Sequence, residues 1–75
     1  MLAPTYVVSS NIDAVGYALG KLFIKFKSGV TYQYDKVPYD LYDALLKVES
    51  AGQFFHHMVK GKFQYTRLEN DPFVG

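Results

Sequence analysis

The chain has 75 residues, no cysteine and no tryptophan, and eight Lys plus Arg against seven Asp plus Glu, for a formal net charge of +1. A chain of this length forms one domain and buries only about 60% of the surface its unfolded form exposes, and without thiols it has neither a disulfide framework nor a thiolate metal site. The balanced charge excludes a global field that draws the protein to nucleic acid or an anionic membrane, so any basic patch must be local.

Seven Tyr and six Phe must supply much of the apolar burial, and oligomerisation is a further route by which so small a core gains stability. The start, Met1-Leu2-Ala3-Pro4, lacks the basic and apolar regions of a signal peptide. No apolar run reaches membrane-spanning length. A cytoplasmic location is the expectation.

Ser9-Ser10-Asn11 reads as a polar turn leading into a first strand at Ile12 to Tyr17, ended by Leu19-Gly20. Lys21 to Lys27 alternates strictly. Leu22, Ile24 and Phe26 share one face and Lys21, Phe23, Lys25 and Lys27 the other, the pattern of a half-buried antiparallel strand. Val30 to Asp35 alternates in the same way beyond the Ser28-Gly29 turn. Pro38 suits the first position of a helix, where its missing N–H has no partner to lose. Leu41, Ala44, Leu45 and Val48 then form one stripe, and Asp43 and Lys47 stand at the spacing of a supporting ion pair. Ser50-Ala51-Gly52-Gln53 has the form of a capping box that opens a second helix. Phe54, Phe55, Met58 and Val59 are its stripe, and Gly61 its left-handed stop. Lys62 to Gly75 alternates briefly at Phe63 and Tyr65 and then frays into Asn70-Asp71-Pro72.

The register of the hairpin decides what Tyr32 and Tyr34 are for, because a slip of one residue exchanges the two faces. A two-residue loop at Ser28-Gly29 would set Tyr32 beside Lys25 and Tyr34 beside Phe23, a basic aromatic face suited to stacking on bases. It would also place Leu22, Ile24 and Phe26 on a face with Thr31, Gln33 and Asp35. A three-residue loop, Lys27-Ser28-Gly29, with Gly29 left-handed, instead opposes Phe26 to Val30, Ile24 to Tyr32 and Leu22 to Tyr34, and makes one face wholly apolar. The second register is favoured, with Tyr32 and Tyr34 in the core and Lys21 opposite Asp35 as a cross-strand charge pair.

Several residues and their spacing resemble a known family. Ser9-Ser10-Asn11-Ile12, Gly16-Tyr17, the Leu22/Ile24/Phe26 strand, Ser28-Gly29, Tyr32-x-Tyr34, Val37-Pro38, Tyr42, Leu45 and Ser50-x-Gly52-x-Phe54-Phe55 are similar to the KTSC domain, named for the C-terminus of some lysyl-tRNA synthetases. The likeness covers roughly Val7 to Phe63, leaving 64–75 as a tail of the single domain, and free-standing members occur in bacteria and phages. Ala18 stands where an acidic residue often follows the Gly-Tyr pair, and His56 where Asn often follows the aromatic pair. The resemblance implies a conjectured RNA-binding role.

Phe23 among Lys21, Lys25 and Lys27 is the best local case for nucleic acid, with cations for phosphates and a ring for stacking. Lys60, Lys62 and Arg67 could extend that patch, or simply complement the dipole of the second helix. Alternating lysines are also commonplace on solvated strands. His56 and His57 point about 100° apart on a helix and have no third ligand, which argues against a metal. Ser9 and Ser10 have no activating base at a recognisable spacing, and Asp40 and Asp43 face water. Phe54, Phe55 and Met58 are either core or an exposed patch that a second subunit covers.

The expectation is therefore one α+β domain, an antiparallel sheet of about three strands with two consecutive helices on one face, in the order β-β-β-α-α. It is a non-catalytic module with no cofactor that binds RNA through its outer sheet face. The alternative is a small self-associating protein that engages a host or phage protein or sequesters a small ligand.

Overall fold

The computed structural model describes residues 2–73, so Met1, Val74 and Gly75, the ends of the expected start and tail, lie outside the described residues. The strands β1 (Thr5–Tyr6), β2 (Ile12–Ala18), β3 (Lys21–Phe26) and β4 (Thr31–Tyr34) are followed by the helices α1 (Tyr39–Lys47) and α2 (Ala51–Met58) and by a last strand, β5 (Tyr65–Leu68). All five strands form one antiparallel sheet in sequence order. The α+β class and the consecutive helices agree with the sequence reading, but the sheet has five strands rather than about three.

The β3–β4 register is the one with the three-residue loop. Leu22 pairs with Tyr34, Ile24 with Tyr32 and Lys25 with Thr31. Phe26 N donates to Val30 O and Gly29 N to Phe26 O, each at 2.9 Å, with Gly29 at φ +97°. A left-handed residue closes this loop without strain only where there is no Cβ. The expected Lys21–Asp35 pair does not form, because the ladder ends at Leu22 and Tyr34 and Asp35 accepts from Gln33 Nε2 at 3.0 Å.

In β2 the register shifts between Ile12 and Ala14. This bulge lets Ile12 and Val15 both enter the core although three positions separate them. Ahead of it, Ser9 Oγ accepts from the backbone N–H groups of Asn11 (3.3 Å) and Ile12 (3.1 Å), the turn chemistry expected of that serine.

Pro38 precedes α1 as its extended cap rather than occupying its first turn. Asp43 and Lys47 pair at 2.9 Å. Ser50 Oγ accepts from Gln53 N at 3.3 Å and starts α2, and Gly61 follows it at φ +80°. The helices close over the inner sheet face, where Leu45, Ala51, Phe55 and Val59 meet Val15, Leu22, Ile24 and Tyr34.

The outer face is also covered, by the two ends of the described chain. Leu2 and Phe73 form a parallel bridge, and Leu2 N donates to Pro72 O at 3.0 Å. The Phe73 ring lies on Gly16, its Cε1 only 2.8 Å from the point a Cβ there would occupy. Residues 64–73 thus supply an edge strand and a strap across the outer face instead of a frayed tail.

Candidate nucleic-acid interface

The structure divides the residues expected to bind nucleic acid. Phe23 is only 8% exposed, in register with Gly16 and beneath the chain ends, so its ring offers no stacking face in this arrangement. Lys25 Nζ lies 2.6 Å from Asp71 Oδ2. That hydrogen bond raises the lysine above its ordinary range and, with a second from Phe73 N, holds the Asp71 carboxyl below its own. Lys27 Nζ donates to Ser9 O at 2.6 Å. Lys21, Lys60 and Lys62 are exposed.

The aromatic and basic residues that come together do so on the inner face, where α2 leaves the β4–β5 corner of the sheet uncovered. A cavity of about 260 Å³ opens there. Its sheet wall is Ile12, Phe26, Tyr32, Tyr34 and Tyr65, and its helix wall is Gly52, Phe55 and His56, with Lys60, Gly61 and Asn11 completing it. The lining contains five aromatic rings, one lysine and no carboxylate.

Each wall has a local cause. Pairing of β4 with β5 sets Tyr34 against Tyr65 and Tyr32 against Arg67, so Tyr65 and Arg67 belong to the face that bears the two expected tyrosines. Phe26 and Tyr32 meet edge to face at 5.9 Å between ring centroids, and Tyr32 and Tyr65 at 5.5 Å and 77°. Tyr34 meets Phe55 at 5.4 Å and 74°. These are the geometries that the ring quadrupole favours. Gly52 admits Asn11 to the helix wall, since a Cβ there would lie 3.0 Å from Asn11 Oδ1.

Tyr34 is buried, as expected, whereas Tyr32 is only partly buried and Tyr65 is 61% exposed. Neither Tyr32 nor Tyr34 donates its hydroxyl to a protein partner among the described residues. Burial, with the neighbouring Tyr32 and Tyr65, pushes the Tyr34 phenol up to about 12, so it remains a neutral hydroxyl, able to donate and to accept, throughout the ordinary pH range. Sequence reasoning missed Tyr65 as a site residue because its signal was one position in a short, weakly alternating segment.

The expected interface stripe also divides. Phe55 is core, Phe54 packs against it, and Met58 is 43% exposed. His56 and His57 are both exposed, and His56 faces the cavity. Among the described residues no three His, Cys, Asp or Glu side chains gather as a metal would require. No described helix is long and apolar enough to cross a membrane.

A five-stranded antiparallel sheet, backed by two short helices and open at one aromatic corner, defines a small α+β domain. The KTSC domain model matches residues 8–63, and the chain belongs to that family. It is similar to a protein of Tsukamurella paurometabola, 41% identical over an alignment of 64 residues, a match covering 83% of this chain and 96% of the relative. It is also 45% identical over 47 residues to a lysine–tRNA ligase of Trichormus variabilis, a match covering 63% of this chain but 8% of the ligase. A KTSC domain protein of Yersinia pestis, known from a crystal structure, superposes with a TM-score of 0.82 at 34% identity, covering 91% of this chain and 99% of that one.

Proposed function

We propose that this chain is a non-catalytic module that binds single-stranded RNA at the cavity between β4, β5 and α2. One observation carries the reading: five rings line a cavity whose charged member is Lys60 and which has no carboxylate. Stacking on aromatic rings is indifferent to sequence, and lysines beside the rings track the phosphates. Lys60, with Lys62 two residues on and Arg67 across from Tyr32, supplies that charge. Of the outer-face lysines expected to contribute, Lys25 is committed to Asp71 and Lys27 to Ser9. The occurrence of the domain within lysine–tRNA ligases adds support, since such an enzyme handles RNA.

Fluorescence anisotropy of a labelled single-stranded RNA at two salt concentrations tests the reading. Saturable binding should weaken with salt, and Lys60→Glu should weaken it by about tenfold. Absence of binding at low salt would remove it.

A second reading, self-association or capture of a protein partner, is favoured by a different feature. Exposed Tyr6, Val8, Leu46 and Val48 border a shallow cleft between β1 and the end of α1. Light scattering in the same buffer separates the two, because an apolar interface responds little to salt.

A further inference from the structure

We propose that two copies of this chain pair edge to edge along β5, and that Arg67 of each copy thereby joins the other's aromatic cavity. The shared site rests on the RNA-binding reading, whereas the pairing itself does not.

Of the sheet's two edges, β5 is the open one. Strand β1 is two residues long and follows Pro4, which has no N–H to offer, while β5 runs for four residues with neither proline nor bulge. Asp35 N donates to Gln64 O at 2.9 Å, and this fixes the alternation. Gln64, Thr66 and Leu68 turn their backbone groups to β4, and Tyr65 and Arg67 turn theirs outward. Those outward groups have no backbone partner among the described residues, and Tyr65, Thr66 and Arg67 are all exposed. Such a row is a template for a further strand.

Register selects the occupant. In an antiparallel pair about a two-fold axis, outward residues must face outward residues. Centred on Thr66, the pairing sets Tyr65 opposite the partner's Arg67 and Arg67 opposite the partner's Tyr65, so every outward group within β5 is bonded. Thr66 meets the partner's Thr66 on the outer face, a favourable cross-strand pair. Centring on Arg67 would oppose two guanidinium groups, and centring on Tyr65 or Leu68 would carry Arg67 or Tyr65 past the end of the partner's strand. The strand is thus complementary to itself, as an isologous contact between copies requires and a foreign strand does not.

The cavity gains from this. Tyr65 lines it, and Arg67 shares its face of the sheet, opposite Tyr32. Across the two-fold axis one row reads Tyr34, Tyr65, the partner's Arg67 and the partner's Tyr32. Each guanidinium then lies between a ring of its own copy and a ring of the other, where cation–π attraction holds it and its N–H groups remain available to phosphate. One copy alone brings a single lysine to the cavity lining. Pairing adds the partner's Arg67 and joins two aromatic cavities into one basic path for a single strand. This surface is separate from the cleft between β1 and α1.

The chain has no cysteine, so Thr66→Cys reports the two-fold axis. Residues facing each other in a non-hydrogen-bonded pair stand about 4.5 Å apart at Cα, within disulfide reach. In a glutathione redox buffer Thr66→Cys should form a linked dimer, and Gln64→Cys, exposed on the same face, should stay reduced. Thr66→Lys sets two ammonium groups face to face away from the cavity, and light scattering should show it as a monomer. Labelled oligouridylate should bind that variant about tenfold more weakly at low salt, although an added lysine by itself favours RNA. Absence of the linked dimer, equal linkage of the two cysteine variants, or a dimer that Thr66→Lys leaves intact overturns the pairing. A monomeric Thr66→Lys that binds oligouridylate as tightly as the parent overturns the shared site while RNA binding stands. Binding by neither the parent nor the linked dimer overturns the RNA-binding reading and the shared site with it, and the linkage still decides the pairing.

Discussion

Lys25 Nζ lies 2.6 Å from the carboxylate of Asp71, 46 positions further along the chain, and this pair holds the C-terminal segment across the outer face of the sheet. It neutralises one of the lysines expected to contact phosphate and, with Phe73 on Gly16, covers the ring expected to stack.

The pair makes docking of this segment depend on pH. The lysine and the Phe73 N–H lower the Asp71 value in the folded state, so its contribution is complete above the unfolded value of about 3.9 and is lost as pH falls through the folded one. Asp71 raises Lys25, whose contribution is complete below the unfolded value of about 10.4 and is lost as pH rises through the folded one. The effect is small because both groups are partly solvated. Protection of the Phe73 amide, its exchange rate relative to the intrinsic rate at the same pH, should be highest between these limits and fall at low pH. In Asp71→Asn the acid limb should flatten, and an undiminished acid limb there would assign it to another group.

Gly16→Ala should displace Phe73 and cost about 1 to 3 kcal/mol, since the new methyl would stand 2.8 Å from the ring. Urea melts of Gly16→Ala, Phe73→Ala and the double variant form a cycle. The glycine substitution should cost much less once the ring is gone, and full additivity would mean that Gly16 matters for some other reason.

Tyr32 is a cavity wall and not a fully enclosed core ring, which sets the size of its effect. Tyr32→Ala should cost about 2 to 3 kcal/mol, near or below the lower end for a buried aromatic, and Tyr32→Phe less than about 1. An alanine variant as stable as the parent in urea would show that the ring packs on nothing.

Phe55 and Met58 should respond in opposite ways to substitution. Phe55→Ala removes a core ring that meets Phe26 and Tyr34 and should cost about 3 to 5 kcal/mol. Met58→Lys, at a half-exposed position, should stay within about 0.5 kcal/mol of the parent. Thermal melts with light scattering check both, and unfolding of Met58→Lys would place that side chain in the core after all.

Local rules made much of the architecture legible. Strict alternation at Leu22, Ile24 and Phe26, with a left-handed Gly29, was enough to choose the β3–β4 register, because a slip by one residue would bury Gln33 and Asp35. The Ser50 cap, the Gly61 stop and the Asp43–Lys47 pair were legible for the same reason, each being an interaction within four residues or a demand on one residue's backbone. By itself, then, the sequence determined the central hairpin, the two helices and the side of the sheet they cover.

Tertiary structure decided the rest. Strand β5 is almost wholly exposed and has little alternating burial to reveal it, and it exists because β4 offers it an unpaired edge. Cover for the outer face comes from Leu2 and Phe73, at opposite ends of the described chain, and no local pattern relates them. The same holds for the candidate site: Tyr32 and Tyr34 were visible as residues of the inner face, but not the opening beside them. That opening depends on where α2 stops and on Tyr65 arriving across the sheet. Periodicity tells which way a side chain points, whereas whether anything lies opposite it is settled only when distant segments pack.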